Sequence, residues 1–198
     1  TSGDPADWVE SALRAISAEA YRSGESPMRR FPLPAEWGVD LYLKDESAQP
    51  TGSLKHHLAR ALFGYALSRG ELTSRSTIVE ASSGSTAVSE AYFARLLGLR
   101  FVAVVPRSTS PAKVELVEHF GGSCEFVTEP TTIYQVAERL GAQPDWHYLD
   151  QFGRARRALG WCPEPSLMER MLAQLRLERH PLPAWVVVGA GTGGTSAN

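Results

Sequence analysis

Pro50-Thr51-Gly52-Ser53-Leu54-Lys55-His56-His57 is the stretch whose reading decides the fold. It follows a run that reads as a strand, Asp40-Leu41-Tyr42-Leu43-Lys44, and it opens a run that reads as a helix. Pro and Gly end the strand, and Ser53 is a good N-cap. Leu54, Leu58, Ala61, Leu62, Tyr65 and Ala66 then recur at helical spacing up to about Gly70. Lys55 therefore falls in the first turn of a helix, where the macrodipole disfavours a cation. A lysine whose charge is unwelcome tends toward the neutral amine, and a neutral amine can attack a carbonyl. The same stretch also reads as an ordinary capped helix with a solvated first-turn lysine, and taken alone it does not separate the two.

Working outward, the N-terminal side predicts one helix from Asp4-Pro5 to about Arg22, with Trp8, Ala12, Leu13, Ile16 and Ala20 as its apolar stripe. Pro27, Pro32 and Pro34 predict an irregular segment from Ser23 to Trp37. On the C-terminal side strands and helices alternate. Strands are predicted at 77–81, 101–105, 123–127 and 146–149, and helices from the end of the Ser82–Thr86 loop to Leu97, at 111–120 and at 131–140. Gly98 and the Gly121-Gly122 pair stop two of those helices. Phe101-Val102-Ala103-Val104-Val105 is nearly continuous in apolar residues, as a strand buried on both faces should be. The alternation predicts a parallel sheet with ligands bound at the carboxyl ends of its strands. Cys124 reads as a small core residue. A basic helical region follows from Gly153 to Arg179, read as a solvated face with Glu164, Glu169 and Glu178 as partners for its arginines. Ala184 to Val188 is read as the last strand.

Two further stretches could carry chemistry. Ser82-Ser83-Gly84-Ser85-Thr86 sits between a predicted strand and a predicted helix. Hydroxyls at the positive end of a helix suit a carboxylate, although a serine-rich cap with no ligand has the same composition. Gly189-Ala190-Gly191-Thr192-Gly193-Gly194-Thr195 follows the last predicted strand. Glycines let several backbone N–H groups converge on a phosphate. Gly189, Gly191 and Gly194 also fit the dinucleotide fingerprint, whose acidic residue would lie about 20 residues further on. A tight turn with no ligand fits as well. His56 and His57 are adjacent and cannot chelate one metal in the i,i+4 manner, so one is read as packed and the other as solvated. His147 is read as a satisfied core histidine, and no metal site is expected.

In family order, Ser53-Leu54-Lys55, Ser82-Ser83-Gly84-Ser85-Thr86 and Gly191-Thr192-Gly193-Gly194-Thr195 resemble the three signature segments of fold-type II enzymes that use pyridoxal 5'-phosphate, in the cysteine synthase branch. The wording is most similar to cysteine desulfhydrase-like members. The resemblance implies an α/β, parallel-sheet, tryptophan synthase β-like architecture whose larger domain is incomplete here. It divides the chain into residues 1–49 (part of the larger domain), 50–152 (a small α/β domain) and 153–198 (the start of the larger domain, ending at the phosphate loop). It makes Lys55 the Schiff-base lysine and general base. Ser85, Gly191, Thr192, Gly193, Gly194 and Thr195 become further cofactor contacts, and Ser82, Ser83, Gly84, Thr86 and Gln151 hold the substrate carboxylate. Ser85 stands where the family commonly has Asn, and the shorter side chain implies that a contact to the cofactor's ring hydroxyl is lost or water-mediated. The implied reaction is β-elimination from cysteine to sulfide, pyruvate and ammonia. The alternatives are β-replacement on O-acetylserine, a dinucleotide-binding module, or an inactive truncated remnant. Family members run far beyond the phosphate loop, so the residues describe such an enzyme while the boundary at Asn198 describes a fragment.

The remaining composition bounds the partners. A chain of 198 residues with 43% hydrophobic and 21% charged residues has a globular composition. Its net charge of −2 supplies no attraction for nucleic acid or an anionic membrane. Two cysteines give no disulfide framework. The expectation is a cytoplasmic enzyme of a small amino acid, homodimeric in its full-length form.

Overall fold

The structure, a computed structural model, describes residues 5–189 and Thr195. In chain order come α1 (Pro5–Ser23), β1 (Met28–Phe31), β2 (Leu41–Lys44), α2 (Lys55–Ser68), β3 (Thr77–Glu80), α3 (Ser85–Leu96), β4 (Arg100–Pro106), α4 (Pro111–His119), β5 (Ser123–Val127), α5 (Ile133–Gly141), β6 (Trp146–Tyr148), α6 (Gln151–Trp161) and α7 (Leu167–Leu175).

The apolar runs of the second half pair as one parallel sheet in the order β5-β4-β3-β6. From β3 the chain steps through α3 to β4 and through α4 to β5, always to the same side. It then recrosses through α5 and lays β6 against the other edge of β3. That reversal makes the carboxyl ends of β3 and β6 a topological switch point, where sheets of this kind open a crevice.

Side-chain alternation divides the core between the two faces of the sheet. Ile78, Phe101, Ala103 and Val105 point to the face covered by α1, α2, α3, α4 and α6. Val79, Val104 and Val127 point to the face covered by α5 through Ala137. Phe63, Phe93, Leu62 and Leu67 are fully buried, each contributing about 1.5–3 kcal/mol by leaving water. Helix α2 is buried around most of its circumference, packed by α1, α3 and α6. The helix stops fall where glycine predicts them. Gly70 and Gly98 take φ of +68° and +70°, and the residues after them close back onto Ala66 and Ala94.

Two expectations are corrected. The Pro-rich segment contains a strand, because Pro27 and Pro32 bracket four free residues and β1 pairs with β2 as an antiparallel two-stranded sheet. Residues 184–188 form no strand. Strand geometry needs a ladder partner, and among the described residues this segment has none. Trp185 and Val187 lie 87% and 95% exposed. The basic helical region comprises two helices, α6 and α7. Its arginines are partly paired: Glu164 accepts from Arg60 and Arg170 at 3.0 Å each, and Arg154 pairs with Glu71. Glu169 instead closes a capping box with Ser166, and Glu178 accepts from the Tyr42 hydroxyl. Cys124 is half-buried against the core.

Candidate active site

The turn carrying Lys55 is built by local hydrogen bonds and then locked from behind. After β2 a short 3-10 turn, Glu46–Ala48, is capped by the Asp45 carboxylate, which accepts from the Ser47 amide at 3.2 Å. Gly52 takes φ +69° and donates to the Gln49 carbonyl at 2.7 Å, a bend that would strain any residue with a Cβ. Ser53 Oγ accepts the Lys55 N–H at 3.1 Å, but the N-cap position itself is Leu54, one residue later than the sequence predicts, because the first helical residue is Lys55.

Behind this turn runs a buried relay from α3 to α1. Arg60 holds Glu19 as a carboxylate, with its Nε 3.0 Å from Oε2. His56 Nε2–H therefore donates to Glu19 Oε1 at 2.9 Å, and Nδ1 accepts from the Thr51 hydroxyl at 3.1 Å. That leaves the Ser89 hydroxyl as donor to Thr51, at 2.8 Å. Burial pushes the His56 imidazole below its ordinary range, consistent with a neutral ring. Burial alone would raise Glu19, yet hydrogen bonds from His56 and Ser23 and the Arg60 charge hold it at about 2. One expected histidine thus packs. The other, His57, is not solvated: its Nε2 pairs with Glu46 Oε2 at 2.9 Å. His147 is not satisfied either. Its Nε2 is buried without a hydrogen bond among the described residues, 3.6 Å from Glu71.

Lys55 opens on a cleft of about 520 Å³ whose opposite wall is Ser82, Gly84, Ser85 and Thr86. Burial lowers the proton affinity of the Lys55 amine. The sequence argument had located the unwelcome charge in the helix dipole; partial burial is the leading cause here. The loop enters α3 directly after β3, with Gly84 N–H donating to Ser82 Oγ at 3.3 Å. Ser85 is exposed on the first turn of α3, and Thr86 is buried beside it. Ser83 is half-buried in the same loop and is not among the cleft-wall residues described. Gln151 lies behind Thr86, and its Oε1 accepts the Thr86 hydroxyl at 2.7 Å.

The glycine-rich segment lies largely outside the described residues, so Gly191, Thr192, Gly193 and Gly194 are not placed. Thr195 is described, and it lines a small cavity of about 50 Å³ on the other side of Lys55, with His57 and Ser166. Among the described residues no cluster of His, Cys, Asp or Glu could hold a metal ion, and no helix is long and apolar enough to cross a membrane.

Three acidic residues escaped the sequence reading. Glu46 lines the cleft, held ionised by His57 and Ser26 against its burial. Glu80 and Glu90 are fully buried beneath the Ser82–Thr86 loop. The available signal was an acidic residue at core spacing. Glu80 closes an otherwise apolar buried strand, and Glu90 falls on the same row of α3 as Ala87, Ala91 and Ala94.

The donor set fits an aldehyde cofactor. An amine held partly out of water faces hydroxyls and the N-terminal N–H groups of a helix, which together can receive a carbonyl and a carboxylate. A sequence profile described as pyridoxal-phosphate dependent enzyme matches residues 21–197. The chain is 54% identical over 194 residues to L-cysteine desulfhydrase Cds1 of Mycobacterium tuberculosis (strain ATCC 25177 / H37Ra), covering 96% of this chain and 53% of that protein. The crystal structure of O-ureido-L-serine synthase superposes with a TM-score of 0.72 at 26% identity, over 93% of this chain and 55% of that one. A hydrogen sulfide-producing enzyme from Fusobacterium nucleatum shares the fold, with a TM-score of 0.74 at 22% identity over 95% of this chain and 56% of that one. The chain spans about half the length of these relatives.

Proposed function

We propose that this chain, which belongs to the pyridoxal-phosphate dependent enzyme family, carries the lysine and the carboxylate-binding loop of a lyase acting on a small amino acid. The preferred reaction is β-elimination: L-cysteine and water give sulfide, pyruvate and ammonia. The observation that carries this reading is the placement of Lys55 and the Ser82–Thr86 loop on facing walls of one cleft. The 54% identity to an L-cysteine desulfhydrase supports elimination ahead of replacement. β-Replacement on O-acetylserine remains the second reading, because the same residues serve it.

Lys55 is the residue to hold the cofactor, with Ser85, Thr195 and the segment Gly191, Thr192, Gly193 and Gly194 as its further contacts. The bound cofactor supplies an electron sink that stabilises negative charge at the substrate's α-carbon. The residues do the rest. Ser82, Ser83, Gly84 and Thr86, with the N–H groups opening α3, bind the substrate carboxylate, and Gln151 fixes the Thr86 hydroxyl. Lys55 Nζ takes the α-proton, and its partial burial favours the neutral amine that this needs. Ser85 reaches less far than the Asn common in the family, leaving the cofactor ring less constrained on that side. A homodimer in the cytoplasm is the setting this reading implies, checked by light scattering of the purified protein.

The test is chemical. The protein is incubated with pyridoxal phosphate, reduced with borohydride and mapped by peptide mass spectrometry. Modification at Lys55 is expected, and modification elsewhere with Lys55 untouched overturns the assignment. Sulfide and pyruvate release from cysteine is then compared with cysteine formation from O-acetylserine and sulfide. A dominant synthase rate reverses the order of the two reactions.

A further inference from the structure

Glu90 lies on α3 with no exposed surface, and neither of its carboxyl oxygens meets a hydrogen-bond donor among the described residues. The group that acts on it most strongly is a second carboxyl, that of Glu80, also fully buried. The two differ in one respect. Glu80 Oε1 accepts the Ala81 N–H at 2.8 Å and Oε2 accepts the Gln151 N–H at 3.0 Å. Two carboxylates cannot both stay ionised in contact away from water. The one with two N–H donors is the better anion, and the one with none is the better acid.

We propose that Glu80 and Glu90 share one proton, carried by Glu90 and donated to Glu80, and that this pair is the positioning device on which the Gln151–Thr86 side of the Lys55 cleft is mounted. The chain of contacts is continuous: the Glu90 O–H holds Glu80, Glu80 holds the Gln151 amide, and Gln151 holds the Thr86 hydroxyl. The surrounding groups agree. Asp150 at the start of α6 and Tyr148 on β6 face Glu80, and Tyr148 also senses Glu90. The Asp150 charge favours a proton staying in the pair, and burial together with the nearby acids keeps the Tyr148 phenol protonated. Lys55 on α2 is the cation facing Glu90. Burial raises both acids, Glu80 to about 7 and Glu90 further in the same direction. Once Glu80 has ionised, the pair keeps one proton and one negative charge behind Lys55. That Lys55 is the group so served rests on the function proposed above, whereas the shared proton does not.

The sign of the pH dependence follows. The raised proton affinity of Glu90 stabilises the fold fully below the unfolded value of about 4.5, and that contribution is lost progressively as pH rises above it. Glu19, Glu46 and Glu71 act in the opposite sense, but equally in wild type and variant, so they cancel in a difference. Glu90→Gln keeps a donor for Glu80 and never ionises. Its melting temperature relative to wild type should therefore climb by roughly 3 °C or more between pH 4.5 and 8. Glu90→Leu has no donor and should melt below Glu90→Gln throughout. Infrared spectra of the wild type should retain a protonated-carboxyl band above pH 7, once Glu80 has ionised, and Glu90→Gln should lack it there. A pH-independent melting difference, Glu90→Leu matching Glu90→Gln, or no such band in the wild type overturns the proposal. If Glu90→Gln does not fold, the wild-type infrared titration decides alone. Neither readout involves the cofactor, so failure here is distinguishable from failure of the lyase assignment.

Discussion

The Thr86 hydroxyl donates to Gln151 Oε1 at 2.7 Å, joining the first turns of two helices that are 65 residues apart in sequence. The contact exists because β6 inserts beside β3, so the helices leaving those strands start next to each other. Thr86→Val leaves a buried amide oxygen without its donor. A loss of about 1–3 kcal/mol in urea denaturation is expected, together with weaker binding of amino-acid carboxylates. Thr86→Ser should restore both.

Glu19 links α1 to α2 through His56 and Arg60. Its pKa is depressed from 4.5 to about 2, so it stabilises the fold above pH 4.5 and that contribution fades as pH falls toward 2. Acid denaturation should show a phase in this window worth about 3 kcal/mol, absent from Glu19→Gln.

Removing the charge altogether is worse for its partner than for itself. Glu19→Leu leaves the Arg60 guanidinium, only 4% exposed, with Glu164 as its remaining acceptor. A destabilisation of about 3–5 kcal/mol is expected by calorimetry or urea titration. The double variant Glu19→Leu with Arg60→Met should recover part of it.

Gly141 closes α5 directly over β6. A Cβ there would meet Tyr148 Cβ at 2.5 Å and the Tyr148 backbone nitrogen at 2.8 Å. Because one of those neighbours is backbone, Gly141→Ala should cost about 1–3 kcal/mol. Gly160→Ala, with nothing within 4 Å of the added carbon, is the neutral control.

Lys55 should titrate below an ordinary lysine. Acylation followed by peptide mass spectrometry across pH should give a midpoint under 10.5, because burial disfavours the ammonium. A midpoint at or above that value would remove the physical argument for a neutral Lys55 amine.

Most of the architecture was legible because it is written locally. Continuous β-branched runs, helical apolar spacing and glycine stops marked β3 through β6 and the helices between them. Misreadings came where a partner decides the outcome. Met28–Phe31 became a strand because β2 was there to pair with it, and residues 184–188, with better strand composition, did not. The apolar stripe of α1 was read correctly at Ala12 and Ile16, yet Glu19 on that same face is buried more completely than either.

The sequence by itself determined the chemistry on offer: a lysine opening a helix after a Gly turn, a hydroxyl-rich loop between strand and helix, and a glycine-rich segment able to approach a phosphate. Those properties depend on residue type and nearest neighbours, so they survive without a fold. Only the tertiary structure decided which groups share a low-dielectric space. It set Gln151 behind Thr86, held His56 between Thr51 and Glu19, and buried both Glu80 and Glu90. Proton affinities depend on burial and on charges a few ångströms away, and sheet order sets both.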